Sequence, residues 1–242
     1  SIKVAYWDLI ALVKYPINLE DYDTVTVMMQ GTRDHLWFLI ALLCSIGISS
    51  FLVWGENYKM LVAVSVALYL IGLLAKAYAN SPFGLHANFN TRNGPFFGTI
   101  FFVSGYFLSN LTPTPGWFQK GVALLGVGWL LHFSETYLLW SRHGTNPYLQ
   151  DYVIGTYFMG IGAAIAALSN HPIIRTVVLG NVGKFTMGIY VIHLLFFDML
   201  RPVVKWTRSP LWQIGEILLI LVFSLVSVMV LQKSKITRSF VV

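Results

Sequence analysis

His132 and Glu135 stand three residues apart, a spacing that puts both on one face of a helix. Such a pair could bind a substrate hydroxyl or relay a proton, or make a structural polar contact near a helix end marked by Trp140. Tyr190 and His193 share a face in the same way. A histidine among Ile, Leu and Phe could be a base acting on an acceptor hydroxyl, or be satisfied by a neighbouring helix. Arg92 and Asn93 directly precede Gly94-Pro95. An arginine at a helix entrance could hold a phosphate or carboxylate, helped by the helix N-terminus, or anchor the chain at an interface. His35 lies beside Trp37, whose ring suits stacking on a sugar or nucleotide as well as anchoring in a membrane interface.

Other patterns carry less. His193 and Asp198 spell H-x4-D, which glycerolipid acyltransferases use in catalysis. Five residues along a helix rotate by about 500°, which leaves the two side chains about 140° apart and unable to cooperate. Gly180-Asn-Val-Gly-Lys184 lacks the spacing of a phosphate loop. No metal-ligand spacing occurs, so no metal is expected. The single cysteine, Cys44, lies within an apolar run and reads as a packing residue.

These polar groups are set in long apolar runs. Leu36 to Gly55 contains no charged side chain, and about 20 such residues suffice for a helix to cross a bilayer. Hydrophobic residues make up 56% of the 242 positions and charged ones only 11%, against about 25% charged in soluble domains. One soluble core of this size could not hide that surplus. The expected fold is all-α, a polytopic transmembrane helix bundle of about seven spans near 35–54, 59–79, 95–110, 118–140, 151–169, 185–204 and 212–232. Because ionisable groups at membrane depth are costly, each one retained there is a candidate for function.

Gly55-Glu56-Asn57, Ser81-Pro82-Phe83-Gly84, Pro113 to Gly116, Asn146-Pro147 and Asn170-His171-Pro172 separate the runs. Trp37, Trp54, Trp117, Trp140, Tyr148, Trp206 and Trp212 cluster at their ends, as interfacial aromatics do. Glycines 121, 126, 128, 155, 160 and 162, with Ala166, have helix-packing spacing. The net charge of +6 is scattered over loops, which argues against nucleic acid and for lipid head groups. Basic residues divide nine to seven between the two sides, too even to orient the chain, while Lys233, Lys235 and Arg238 lean towards a cytoplasmic C-terminus. The chain divides into an interfacial or periplasmic segment or end of a truncated helix (1–34), the bundle (35–232) and a basic cytoplasmic tail (233–242).

Three stretches in order resemble the acyltransferase 3 family of bacterial integral-membrane acyltransferases. They are His35-Leu-Trp-Phe-Leu39, then Thr91-Arg-Asn-Gly-Pro-Phe-Phe-Gly98 running into Phe101-Phe-Val-Ser-Gly-Tyr106, and Gly183-Lys-Phe-Thr-Met-Gly-Ile-Tyr-Val-Ile-His193. The resemblance implies a multi-pass enzyme of the bacterial inner membrane with about ten helices. It would move an acyl group, usually acetyl, from acyl-CoA (acetyl-CoA as donor) to a hydroxyl of a sugar, polysaccharide or other envelope component. Seven spans against about ten imply that the chain lacks the family's first three. The family's arginine and histidine of the first helix, and its arginine pair near the third, have no counterpart here. Thr186 stands where serine is usual, and Pro95 where leucine is expected.

On that reading His193 and His35 are the candidate catalytic residues, and Arg92, Asn93, Trp37, His132, Glu135 and Tyr190 the candidate substrate-binding ones. His35, Arg92, Glu135, Tyr190 and His193 are expected to converge on one polar cavity. A transporter of a small envelope precursor, or a catalytically incomplete membrane fragment, is the rival reading. The transporter predicts a repeat of broken helices in the two halves, which the sequence does not show.

Overall fold

The computed structural model describes residues 37–87, 89–174, 180, 182–204 and 210–233. Every regular element among them is helical, in agreement with the all-α expectation. The α-helices are α1 (Trp37–Trp54), α2 (Tyr58–Ala75), α3 (Pro95–Ser109), α4 (Trp117–His143), α5 (Ile154–Leu168), α6 (Thr186–Val204) and α7 (Pro210–Leu231). A single 3-10 turn, Pro147–Leu149, lies between α4 and α5. Segment 1–34 and residues 234–242 of the tail lie outside the described residues, as does His35.

Large apolar side chains point outward from the helices: Phe51, Leu130 and Ile217 are each about two-thirds exposed or more (70%, 70% and 67%). The inward face of α1 is instead Ala41, Ser45, Ser49 and Leu52. On α1 the inward residues are thus mostly small or weakly polar, which suits lipid, because lipid tails reward outward leucine and helix contacts reward close backbones. Among the described residues four helices have the length and apolarity to cross a membrane: α1, α2 and α4 in full and Ile214–Leu231 of α7. The apolar lengths of α3, α5 and Thr186–Leu200 of α6 are shorter. At 15 residues each, α3 and α5 reach about 22 Å, less than the roughly 30 Å of bilayer hydrocarbon.

The described residues up to 174 form one compact unit and those from 180 onward another. In the first, α3 packs on α1, α2 and α5, and α4 pairs along its length with α5. In the second, α6 packs on α7, with Phe196 and Phe223 ring to ring at 5.7 Å.

The α4–α5 pair is a glycine seam. A Cβ on Gly128 would lie 2.4 Å from the Met159 backbone nitrogen, and one on Gly155 would lie 2.3 Å from that of His132. Gly121 against Ala166 and Gly162 against Leu125 repeat the contact. Gly121 and Gly128 are seven apart, as are Gly155 and Gly162, a heptad spacing that keeps the contact on one side of both helices. Gly126 and Gly160 are not part of it. Gly126 meets no atom within 4 Å, and Gly160 receives the ring of Phe101.

Two of the helix boundaries that differ from expectation matter to the site. The second helix stops at Ala75, four residues early, so Lys76 and Tyr78 fall in a turn at its end. The fifth begins at Ile154, three residues late, because Asp151, Tyr152 and Val153 are extended and occupied with tertiary bonds.

Candidate functional site

One end of the first unit gathers the start of α1, the end of α2, the start of α3, the last turns of α4 and the start of α5. Gly94 makes the turn into α3 with φ of +64°, a conformation a side chain would oppose, and Pro95 takes the first helical position. This turn delivers Asn90, Thr91, Arg92 and Asn93 to the helix ends.

The chain just before α5 receives them residue by residue. Arg92 Nη1 donates to Asp151 Oδ1 at 2.9 Å, and Asn90 Nδ2 donates to Asp151 Oδ2 at 3.1 Å. Lys76 Nζ lies 3.1 Å from the same Oδ2. The Arg92 backbone N–H donates to Asn90 Oδ1 at 3.0 Å, which closes a ring of contacts. Next to it, the Thr91 hydroxyl donates to the Gly72 carbonyl at 2.8 Å, and the Tyr152 hydroxyl lies 3.0 Å from Thr91 Oγ1 and donates to the Thr91 carbonyl at 3.3 Å. Tyr152 is fully buried, and that burial pushes its phenol above the usual tyrosine range. Asn93, only 2% exposed, is enclosed beside them.

Arg92 is held on a second side. Its guanidinium carbon lies 4.6 Å from the centroid of the Trp37 ring, a cation–π distance. Its Nε is buried and has no hydrogen-bond partner among the described residues. Leaving such a donor unsatisfied costs about 1–3 kcal/mol, which an oxygen ligand would recover.

Glu135 sits on the far side of the same segment. Its Oε1 accepts from the Ile154 N–H at 3.0 Å and its Oε2 from the Gly155 N–H at 3.1 Å, so the carboxylate closes the N-terminus of α5. The Tyr78 hydroxyl also donates to Oε1. Burial first, then this bond to a carboxylate, raises the Tyr78 phenol above its ordinary value. His132, one turn back, places Nδ1 3.1 Å from Thr156 Oγ1, and that hydroxyl accepts from the Val153 N–H at 3.0 Å. Both members of the His132–Glu135 pair are thus committed to the start of α5.

Tyr190 and His193 belong to α6, in the second unit, and are described there by themselves. Their rings lie 5.7 Å apart. His193 Nδ1 contacts the Tyr190 carbonyl oxygen. A carbonyl can only accept, so Nδ1 is the donor in this contact. Among the described residues no group of three or more His, Cys, Asp or Glu side chains could hold a metal ion.

The site therefore has members the sequence motifs did not single out: Lys76, Asp151, Tyr152 and Tyr78. Their only sequence signal was a charge or phenol next to an apolar run, which interfacial anchors share.

The model of an acyltransferase domain matches residues 8–232, nearly the whole chain. The chain belongs to the acyltransferase 3 family. Among curated proteins, an amino-acid racemase of Enterococcus faecalis is 34% identical over 95 residues, 35% of this chain. The match spans only 13% of that protein's length. No solved structure matches. Family membership agrees with the three stretches that carried the resemblance, and with the apolar helices of a membrane protein.

Proposed function

We propose that this acyltransferase 3 chain is the helix bundle of an enzyme of the bacterial inner membrane. It moves an acetyl group from acetyl-CoA to a hydroxyl of a sugar, polysaccharide or other envelope component. The observation that carries this reading is Arg92. Its guanidinium is set by Asp151 and Trp37, with a buried donor left over for a ligand oxygen.

The charges fit an anionic donor. Lys76 and Arg92 share one carboxylate, so the cluster keeps a net positive charge towards a phosphate of the donor. Acetyl-CoA supplies an acyl thioester when bound. His193 Nε2 takes the proton of the acceptor hydroxyl as its oxygen bonds to the acyl carbon, and the proton passes on to the departing thiolate. His35 is a second candidate base on the strength of the family resemblance alone. Trp37 orients Arg92 by its ring face, and the Tyr190 carbonyl accepts from His193 Nδ1. His132 and Glu135 act on the site by shaping the start of α5.

The test is acetyl transfer from labelled acetyl-CoA by membranes that hold the full-length protein. His193→Ala and Arg92→Ala should each lower the rate about 100-fold or more, the scale of a lost base or a lost charged contact. Unchanged rates in both remove these residues from the reaction.

A further inference from the structure

We propose that Asp151 is the positioning residue for Arg92, holding the guanidinium so that one edge is presented to a bound anion. This rests on the reading of Arg92 as an anion holder. Asp151 is itself immobile. Both of its oxygens are used, Oδ1 by Arg92 and Oδ2 by Lys76 and Asn90. Its backbone is fixed by the next two residues, Tyr152 through Thr91 and Val153 through Tyr69, whose hydroxyl donates to the Val153 carbonyl at 2.8 Å.

The contact is made at a single nitrogen. An arginine facing a carboxylate squarely forms a two-pronged pair and uses up one whole edge of the fork. Here Asp151 Oδ1 takes Nη1, Trp37 covers a face, and the buried Nε is left without an acceptor among the described residues. The geometry of a one-point hold is that of an arginine steered, with donors kept for something else. Lys76 on the opposite oxygen keeps the carboxylate from neutralising the guanidinium alone. The group presented is therefore still cationic, and its partner is an oxyanion such as a phosphate.

The experiment uses the full-length protein in membranes and purified in detergent. Asp151→Asn keeps the side-chain shape and removes the charge. It should lower acetyl transfer about tenfold, mostly through a raised KM for acetyl-CoA, since the lost orientation weakens ligand binding. In an Arg92→Ala background the same substitution should have no further effect, because coupled residues are non-additive. Labelling of Arg92 by phenylglyoxal, read by peptide mass spectrometry, should be at least about threefold faster in Asp151→Asn, whose guanidinium is no longer clamped.

Should Asp151→Asn fail to elute as a folded species, Asp151→Glu carries the test, since it keeps the charge and moves it by one methylene. It should show slower transfer and faster labelling than the unsubstituted protein. Equal loss of transfer with and without Arg92, or an unchanged labelling rate, overturns the proposal. Full transfer by Arg92→Ala overturns the role of Arg92 in the reaction and with it that of Asp151, whereas unchanged labelling in Asp151→Asn overturns Asp151 alone.

Discussion

Glu135 on α4 and Gly155 on α5 are joined by a 3.1 Å bond from a backbone N–H to a carboxylate oxygen, with the Ile154 N–H on the other oxygen. A carboxylate at a helix N-terminus neutralises donors that have no partner within the helix. Glu135→Ala would leave both N–H groups and the Tyr78 hydroxyl without it. We expect a loss of about 2–3 kcal/mol. Glu135→Gln, which keeps one acceptor oxygen, should lose about half as much. Thermal unfolding in detergent checks both, and equal melting of all three proteins would contradict the assignment.

The seam between α4 and α5 predicts opposite outcomes for two glycines on one helix. Gly128→Ala drives a Cβ into the Met159 backbone and must part the helices, at a cost of about 1–3 kcal/mol. Gly126→Ala enters open space and gains up to about 1 kcal/mol of helix propensity. Melting temperatures should move in opposite directions.

The raised phenol of Tyr78 gives an alkaline dependence. A group whose folded value lies above its unfolded value, about 10 for tyrosine, stabilises fully below that value. The contribution is lost as pH rises through the higher folded one. Stability should therefore fall with pH above about 10, and Tyr78→Phe should flatten part of that fall. An identical alkaline slope in the variant would show that the Tyr78–Glu135 bond is not its source.

Trp37→Leu removes the ring beneath Arg92 while keeping an apolar side chain at the start of α1. A cation–π contact of this kind is worth about 1 kcal/mol, so binding of acetyl-CoA should weaken about fivefold. Equilibrium binding to the full-length protein reads this directly. Unaltered affinity would mean the ring only packs.

Seven helices were legible because each is a long apolar run between Pro, Gly and Asn punctuation, and those signals are local. Their ends were less so. Tyr152, Val153 and Ile154 read as one apolar start to a span, yet Tyr152 and Val153 are drawn out of the helix by Thr91 and Tyr69, partners 61 and 84 residues away. Asp151 escaped notice for the same reason: its importance lies in Lys76, Asn90 and Arg92, which no periodicity connects to it. The glycines were legible as packing residues, but which helix each faced was not. Gly126 has the same spacing cues as Gly128 and packs on nothing within 4 Å.

The stretch from Asp151 to Gly155 also sets an order of assembly. Tyr69, Gly72, Lys76 and the Asn90–Arg92 turn leave the ribosome well before it, and the longest of these bonds closes a loop of 84 residues. Until α5 inserts, Lys76 and Arg92 stay as uncompensated cations at the membrane surface, where anionic head groups attract them. Synthesis that halts before residue 155 would leave α1 to α4 with their charged rim still open, a half-built species that membrane quality control could recognise.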